Sequence, residues 1–428
     1  MSKDNIHKCV AECCRLLLGV VFSFSGTVKA IDPMGGSIKI NDYLTAFGLE
    51  GWKWMSLPLS FNLSALEFML GICLLLGVYR KYTTFLILLF MLCMTPLTLY
   101  LAIFNPVSDC GCFGDALVIT NWQTFYKNIV LLAAAIYVFI HHKHLSPFYT
   151  FHVYWLVAIW AYGYAIFFAY HNYNHLPLLD FRPYKVGANI TDLISIPEGA
   201  PEDEYAYSFT YEKDGVQKTF SLENAPMDDS LWIFVDAKTE LIRQGYVPPV
   251  TDFHIYDETG DREVTEEVLA EPRNVFLLIA PRLEEADDTC IDEINNAYDY
   301  AMENGMLFYG VTSSSSMTID DWTAGTGAEY PFLMADDVLL KTIIRSNPGL
   351  VLLQKGTILM KWHVHDIPKE EDLPEVVANC LEENSQWKTK EDARLISNLL
   401  TFALPLLLVW GYDRGMERIR RRKTKKND

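Results

Sequence analysis

The sequence predicts an α-helical membrane bundle of six transmembrane helices that carries one large α/β soluble domain. Six stretches are long and apolar enough to cross a bilayer, near 10–29, 56–79, 82–104, 122–140, 152–170 and 394–411. About 20 apolar residues span the hydrocarbon core as a helix, in which every backbone group is paired internally. Charge divides the 428-residue chain in the same places: Asp180 to Asp392 carries 43 acidic and 16 basic side chains, and the remainder carries 11 and 19. Between about 248 and 385, strand-like and helix-like periods alternate. So acidic a domain leaves nothing to neutralise phosphates, which excludes nucleic acid as its partner.

Span one begins among charges, with Glu12 and Arg15 near its start. Five further spans follow and no small-residue cleavage site is evident, so it reads as a retained helix. A buried soluble helix is a poor account of spans two to five. Orientation comes from basic loops: Lys3 and Lys8, then Arg80-Lys81, then Lys143 among His141, His142 and His144, then the tail from Arg418 to Lys426. All fall on one side of a six-span chain, and basic loops mark the cytoplasmic side. The expectation is a bacterial inner-membrane protein with both termini cytoplasmic and the acidic domain periplasmic. Loop 30–55 dissents weakly through Lys29, Lys39 and Lys53, while Trp52 and Trp54 suit an interfacial belt. The basic tail suits topology and lipid contact.

Nine cysteines occur. Cys9, Cys13 and Cys14 lie at the cytoplasmic edge of span one, Cys73 and Cys93 lie within spans, and Cys290 and Cys380 lie in the acidic domain. Cys110 and Cys112 stand apart, in Asp109-Cys110-Gly111-Cys112-Phe113-Gly114-Asp115 on the outer loop between spans three and four. That compartment permits disulfides.

Arg15-Leu-Leu-Leu-Gly19 with Phe22-Ser-Phe-Ser-Gly26-Thr-Val-Lys29 resembles the first span of DoxX-type membrane proteins. Glu67-Phe-Met-Leu-Gly71 with Leu76-Gly77 before Arg80-Lys81 resembles their second. Cys110-Gly111-Cys112-Phe113-Gly114 resembles the motif of the MauE branch, associated with methylamine utilisation. Over residues 10–140 this resemblance implies a four-helix membrane bundle linked to thiol–disulfide or quinone-type redox chemistry, and it names no substrate.

Two cysteines separated by one residue close a small ring only with backbone strain, which Gly111 relieves in part. A strained disulfide is the more oxidising one. Asp109 and Asp115 would raise the thiol pKa unless a partner offsets them. Three readings stay open: a redox pair, an inert loop disulfide, and a metal half-site, the last short of ligands for structural zinc.

In the acidic domain, Val250 to Gly260 reads as a strand entering a turn, Asn274 to Ala280 as a buried strand, and Ile291, Ile294, Ala297, Tyr298 and Ala301 as a helix face. Met306 to Val311 reads as the next strand, and Gly349 to Leu353 with Thr357 to Trp362 as a hairpin turning at Gln354-Lys355-Gly356. This order resembles an envelope thioredoxin-like domain over 248–385, with Asp252-Phe253 in its opening strand and Pro348 as the cis-proline before the closing hairpin. The resemblance breaks at the active site. After Ala280, where Cys-x-x-Cys belongs, stands Pro281-Arg282-Leu283-Glu284-Glu285, and Cys290 falls several residues late. Cys290 reads either as a resolving partner for the outer loop or as an ordinary helix cysteine.

Ser208 to Leu222 reads as a hairpin turning at Asp214-Gly215, either extending the thioredoxin-like sheet or forming its own module. His363 and His365 flank Val364 on one strand face, as surface histidines or two ligands of a metal site without a third. Asn189-Ile190-Thr191 matches a glycosylation acceptor by chance. The division expected is 1–145 four-helix domain, 146–175 fifth span, 176–247 β-rich linker, 248–388 thioredoxin-like domain and 393–428 sixth span with tail. No phosphate-cradling loop, haem-attachment motif or serine-nucleophile motif occurs, so no cofactor is expected. Two functions compete. One is thiol–disulfide exchange or electron transfer through Cys110 and Cys112 with an extracytoplasmic thiol or disulfide protein. The other is a non-enzymatic, lipid-anchored binding or assembly factor.

Overall fold

The computed structural model describes residues 3–107, 109–213, 215–226, 231–382 and 387–427. Among these, six helices are long and apolar enough to cross a membrane: Asp4–Ile31, Glu50–Leu75, Arg80–Phe104, Asn121–Ile140, Phe151–Asn174 and Ala393–Arg422. The protein is therefore an integral membrane protein.

Helix α1 (Lys3–Ile31) is followed by α2 (Pro33–Ala46), which replaces the loop read between spans one and two. Asp32 caps α2 by accepting from the Gly35 amide at 2.8 Å, and Pro33 suits its first turn. Helices α3 (Ser56–Leu75), α4 (Arg80–Phe104), α5 (Asn121–Ile140) and α6 (Tyr154–Asn174) complete the first bundle. Thr120 and Gln123 form a reciprocal capping box that starts α5. Leu18, Phe22, Leu70, Leu74, Ile87, Met91 and Leu131 pack as one core between α1, α3, α4 and α5. The charges near the start of α1 are internally matched: Arg15 pairs with Glu12 at 2.7 Å and donates to the Ser146 carbonyl at 2.7 Å.

Helices α1 and α3 touch backbone to backbone. A Cβ on Gly26 would fall on the Phe68 amide nitrogen, and one on Gly71 on the Ser23 amide. Close approach through small residues is how membrane helices pack. We expect Gly26→Ala to cost about 1–3 kcal/mol by overpacking. Gly163→Ala, with nothing within 4 Å of its Cβ, should cost nothing. Thermal unfolding of the two variants in detergent checks the contrast, and equal melting temperatures would refute it.

Beyond the membrane lie α7 (Ile190–Ile194) and an antiparallel sheet of β1 (Glu204–Lys213), β2 (Val216–Ser221) and β3 (Ile233–Arg243), in the order β2-β1-β3. The hairpin read from the sequence is present, with Lys213 paired to Val216 and Gly215 at φ 78°; Asp214 lies outside the described residues. This sheet stands apart from the next one, and its third strand carried no apolar alternation because every residue of β3 is exposed.

The second sheet contains β4 (Ile255–Tyr256), β5 (Asn274–Ala280), β6 (Leu307–Thr312), β7 (Phe332–Ala335), β8 (Gly349–Gln354) and β9 (Thr357–His363), ordered β4-β7-β6-β5-β8-β9. Helices α8 (Thr265–Ala270), α9 (Ile291–Glu303), α10 (Ser316–Thr326), α11 (Asp337–Ile343) and α12 (Leu373–Glu382) flank it. Strand β5 is parallel to β6 and antiparallel to β8, and β8 closes on β9. Val275, Leu277 and Ile279 enter one core, and Phe276, Leu278 and Ala280 enter another, so both faces are covered and β5 is apolar from Val275 to its end. This is the thioredoxin-like arrangement, enlarged by β7 parallel to β6. The Asn347–Pro348 peptide is cis and β8 begins at Gly349.

Two local readings change. The strand read from Val250 shrinks to Ile255–Tyr256, with Phe253 buried but outside it. The shared strand face of His363 and His365 does not exist: β9 ends at His363, which is buried, and His365 lies on the turn Val364–Asp366.

Helix α13 (Trp387–Asn427) returns alongside α6. Trp160 donates to the Phe402 carbonyl at 3.1 Å, and buried Asp413 accepts from the Thr150 amide at 2.7 Å. The start of α1, the 141–150 loop and the end of α13 thus share one end of the bundle. At the other end, Arg345 of the thioredoxin-like domain reaches Asp32 at 3.1 Å and Asp115 at 3.5 Å.

Candidate functional site

Helix α4 ends at Asn105, a left-handed residue at φ 46°, and Asn121 donates back to the Asn105 side chain at 2.8 Å and the Val107 carbonyl at 3.0 Å. The loop so closed holds Cys110 and Cys112, disulfide-bonded, their Cα atoms 5.5 Å apart. Gly111 at φ 63° and Gly114 at φ 49° occupy backbone conformations that residues with a Cβ avoid.

The loop is held from all sides. Tyr43 of α2 donates to the Cys110 carbonyl at 2.8 Å; burial, then Asp109 and Asp42, push its phenol up and keep it a donor. Ser25 of α1 donates to the Cys112 carbonyl at 2.7 Å. Lys39 pairs with Asp109 at 2.7 Å, and Asp109 accepts from the Gly111 amide at 2.8 Å. Asp115 is pushed up by burial and by Asp32, against the pull of Arg345. The two aspartates expected to disfavour a thiolate are thus each faced by a cation.

The two sulfurs differ. Cys110 is 7% exposed, its sulfur 3.8 Å from the Thr124 hydroxyl and 3.3 Å from the Cys112 amide, which donates to it. Cys112 is half-buried and lines a cavity of about 30 Å³ inside the end of the bundle that carries the Cys-Gly-Cys loop. That volume suffices for about one water molecule. Lys29, Glu67 and Lys127 line the same cavity. Glu67, 2% exposed on α3, pairs with Lys29 at 2.6 Å and accepts from Ser25 at 2.7 Å. Ser25 has one hydroxyl proton and stands 2.7 Å from both the Glu67 carboxylate and the Cys112 carbonyl, so it serves one at a time. Lys127 lies over the Phe113 ring, 4.1 Å from its centroid.

On the far side of the loop, the Gly111 and Gly114 backbone borders a cleft of about 1230 Å³ that reaches Arg282, Asn347, His363 and His365. The segment after β5 touches the cis-proline turn, since Asn347 donates to the Arg282 carbonyl and accepts from the Asp287 amide, both at 2.8 Å. It holds no cysteine pair. Cys290 stands at the N-cap position of α9 without a capping side-chain bond, half-buried and 3.9 Å from the Thr289 hydroxyl, and lines neither the cavity nor the cleft among the described residues. His363 is lowered to about 4 by burial and by His365, and its Nδ1 accepts from the His365 amide at 3.3 Å, so it is neutral at pH 7.

Cys110, Cys112, Gly111 and Gly114 thus lie together, while Pro348 follows Asn347, which lines the cleft, and Cys290 lies elsewhere. Sequence reasoning gave no role to Ser25, Lys29, Glu67 or Lys127. The available signal was ionisable residues inside apolar spans, which membranes tolerate mainly where they act.

Residues 7–141 match the family described as methylamine utilisation protein MauE. Residues 205–244, which cover most of the three-stranded sheet, match a domain of unknown function, DUF8463. Two solved structures from Bacteroides thetaiotaomicron are similar. A protein assigned as a protein disulfide isomerase is 17% identical, covering 33% of this chain and 92% of its own, with a TM-score of 0.25. The C-terminal domain of a protein assigned as a thiol-disulfide oxidoreductase is 16% identical, covering 31% and 94%, with a TM-score of 0.25. No curated protein matches the chain. The MauE resemblance therefore holds over residues 7–141, the N-terminal third of the chain.

Proposed function

We propose that this MauE-like membrane protein exchanges a disulfide with an extracytoplasmic protein dithiol through Cys110 and Cys112. One observation carries the reading: a bonded Cys-Gly-Cys pair is clamped at one end of the bundle with Cys112 on a cavity that holds two lysines. In the step proposed, a substrate thiolate attacks Cys112, the more accessible sulfur, and the Cys110–Cys112 bond breaks. Cys110 leaves as a thiolate that the Cys112 amide is already placed to receive. The second substrate thiol then attacks the mixed disulfide, and Cys112 is released. The substrate is oxidised by two electrons and the pair is reduced by two.

In this reading the basic ends are cytoplasmic, the acidic domain is periplasmic, and the membrane is the bacterial inner membrane. Residues 1–145 are the redox-bearing bundle, 146–175 the fifth span, 176–247 a β-rich connection, 248–388 a thioredoxin-like roof, and 393–428 the sixth span and tail. Pro348 shapes the substrate side of the roof, and the missing Cys-x-x-Cys makes that roof a holder of partners. The same absence favours the second reading, an anchored docking protein with no chemistry.

The full chain in detergent should oxidise a dithiol peptide to the extent of one disulfide per chain. Cys110→Ser and Cys112→Ser should abolish this, and Cys290→Ser should leave it unchanged. Oxidation that survives loss of Cys112 would refute the exchange reading, and dependence on Cys290 would restore that residue as resolving partner.

A further inference from the structure

The cavity beside Cys112 contains more positive charge than it balances. Lys29 from α1 is committed to Glu67 from α3 at 2.6 Å. Helix α4 contributes Phe90, Met91 and Met94 to the wall and no charge. Helix α5 contributes Lys127, and among the described residues no carboxylate lies within ion-pairing distance of it. Above, Asp109 is paired with Lys39 of α2, Asp115 faces Arg345, and Asp42 lies near Lys39. Two ammonium groups facing one carboxylate between membrane helices are costly unless further negative charge reaches them. In the oxidised state Lys127 lies over the ring of Phe113, the residue next to Cys112.

We propose that Lys127 is a catalytic residue of the pair: its ammonium receives the negative charge that appears on Cys112 when the mixed disulfide breaks, and so holds that sulfur as a thiolate. Helix geometry supports the division of labour. Thr124 and Lys127 are three residues apart on α5, so one face of one helix presents a hydroxyl to Cys110 and a cation to the cavity beside Cys112. The ammonium also explains how a sulfur sunk in the bundle can ionise, because burial alone opposes a thiolate and a neighbouring cation favours it. The covalent step is the release of Cys112 described above: the substrate disulfide forms, the mixed disulfide breaks, and the electron pair stays on the Cys112 sulfur facing Lys127.

The inference rests on the exchange reading, but its test needs no partner. The full chain carrying Cys110→Ser is purified in detergent and reduced, and the rate of iodoacetamide labelling at Cys112 is measured by peptide mass spectrometry from pH 5 to 10. Lys127→Met should move the half-maximal pH upward by at least about one unit, making labelling at pH 7 about tenfold slower. Lys127→Arg, which keeps the charge, should restore the parent profile, and Lys127→Gln replaces the Met variant if that one does not fold. Superimposable profiles for the parent and the neutral variants would overturn the proposal. A shifted profile in a chain that captures no partner dithiol would leave the electrostatic role standing and remove the exchange reading alone.

Discussion

Membranes from cells expressing Cys110→Ser should accumulate a mixed disulfide between Cys112 and a partner protein, at least about tenfold above the level in Cys112→Ser cells. The asymmetry follows from the two sulfurs' surroundings. Cys112 is half-buried and borders a cavity, whereas Cys110 is 7% exposed, wedged against Thr124 beneath the carbonyl held by Tyr43. Exchange requires in-line access to the attacked sulfur, so the partner thiolate meets Cys112 first. With Cys110 replaced by serine, the half-buried Cys112 thiolate attacks the disulfide form of the partner, one partner sulfur leaves as a thiol, and nothing within the pair can resolve the adduct. With Cys112 replaced, Cys110 is left under its cover and captures little. Non-reducing gels of acid-quenched membranes, probed for the chain, measure the ratio. Equal capture would mean that the loop opens before it reacts. Absence of adducts in both variants, with both folded and the host growing normally, would replace exchange by the anchored docking reading.

The parts of this molecule that read well in the sequence are those governed by local period. Strand β5 is apolar through six consecutive residues, Val275 to Ala280, α9 repeats its small and aliphatic residues at helical spacing, and Asn347-Pro348-Gly349 precedes a further apolar run. The parts that did not read are those assembled across distance or without periodicity. Strand β3 has Ile233, Phe234, Val235, Leu241 and Ile242 all exposed, so burial wrote no alternation into it. Helix α2 buries only Pro33 and Ser37. The Cys-Gly-Cys loop stood out because its residues are adjacent. The groups that surround it come from α1, α2, α3 and α5 and from Arg345, and Arg345 lies 230 residues beyond Asp115. No spacing rule connects such residues. Glu67 was legible as an anomaly, one carboxylate within span two, but its partners Ser25 and Lys29 looked like ordinary span-end residues.

Glu67 is therefore where a single substitution should do most damage to the membrane domain. Its carboxylate is 2% exposed, binds Lys29 at 2.6 Å and accepts from Ser25 at 2.7 Å. Removing one partner of a buried ion pair leaves the other charge uncompensated, at about 3–5 kcal/mol. Replacing both by apolar groups of similar volume is often neutral. We expect Glu67→Leu to lower stability by that range, because Lys29 is stranded with Lys127 lining the same small cavity. Glu67→Gln should cost less, since the amide oxygen can still accept from Ser25 or from Lys29. The double variant Lys29→Met/Glu67→Leu should recover most of the loss. Its coupling energy, taken from denaturant titrations of the four proteins in detergent, separates pairing from simple shape change. Additive effects would show that the pair contributes nothing beyond packing. The labelling profile of Cys112 supplies a second readout: in the double variant Ser25 no longer has Glu67 to serve and is free to donate to the Cys112 carbonyl throughout, so the loop should stay clamped while the fold recovers. A recovered fold with a loosened loop would instead place Glu67 itself among the groups that hold the cysteine pair in position.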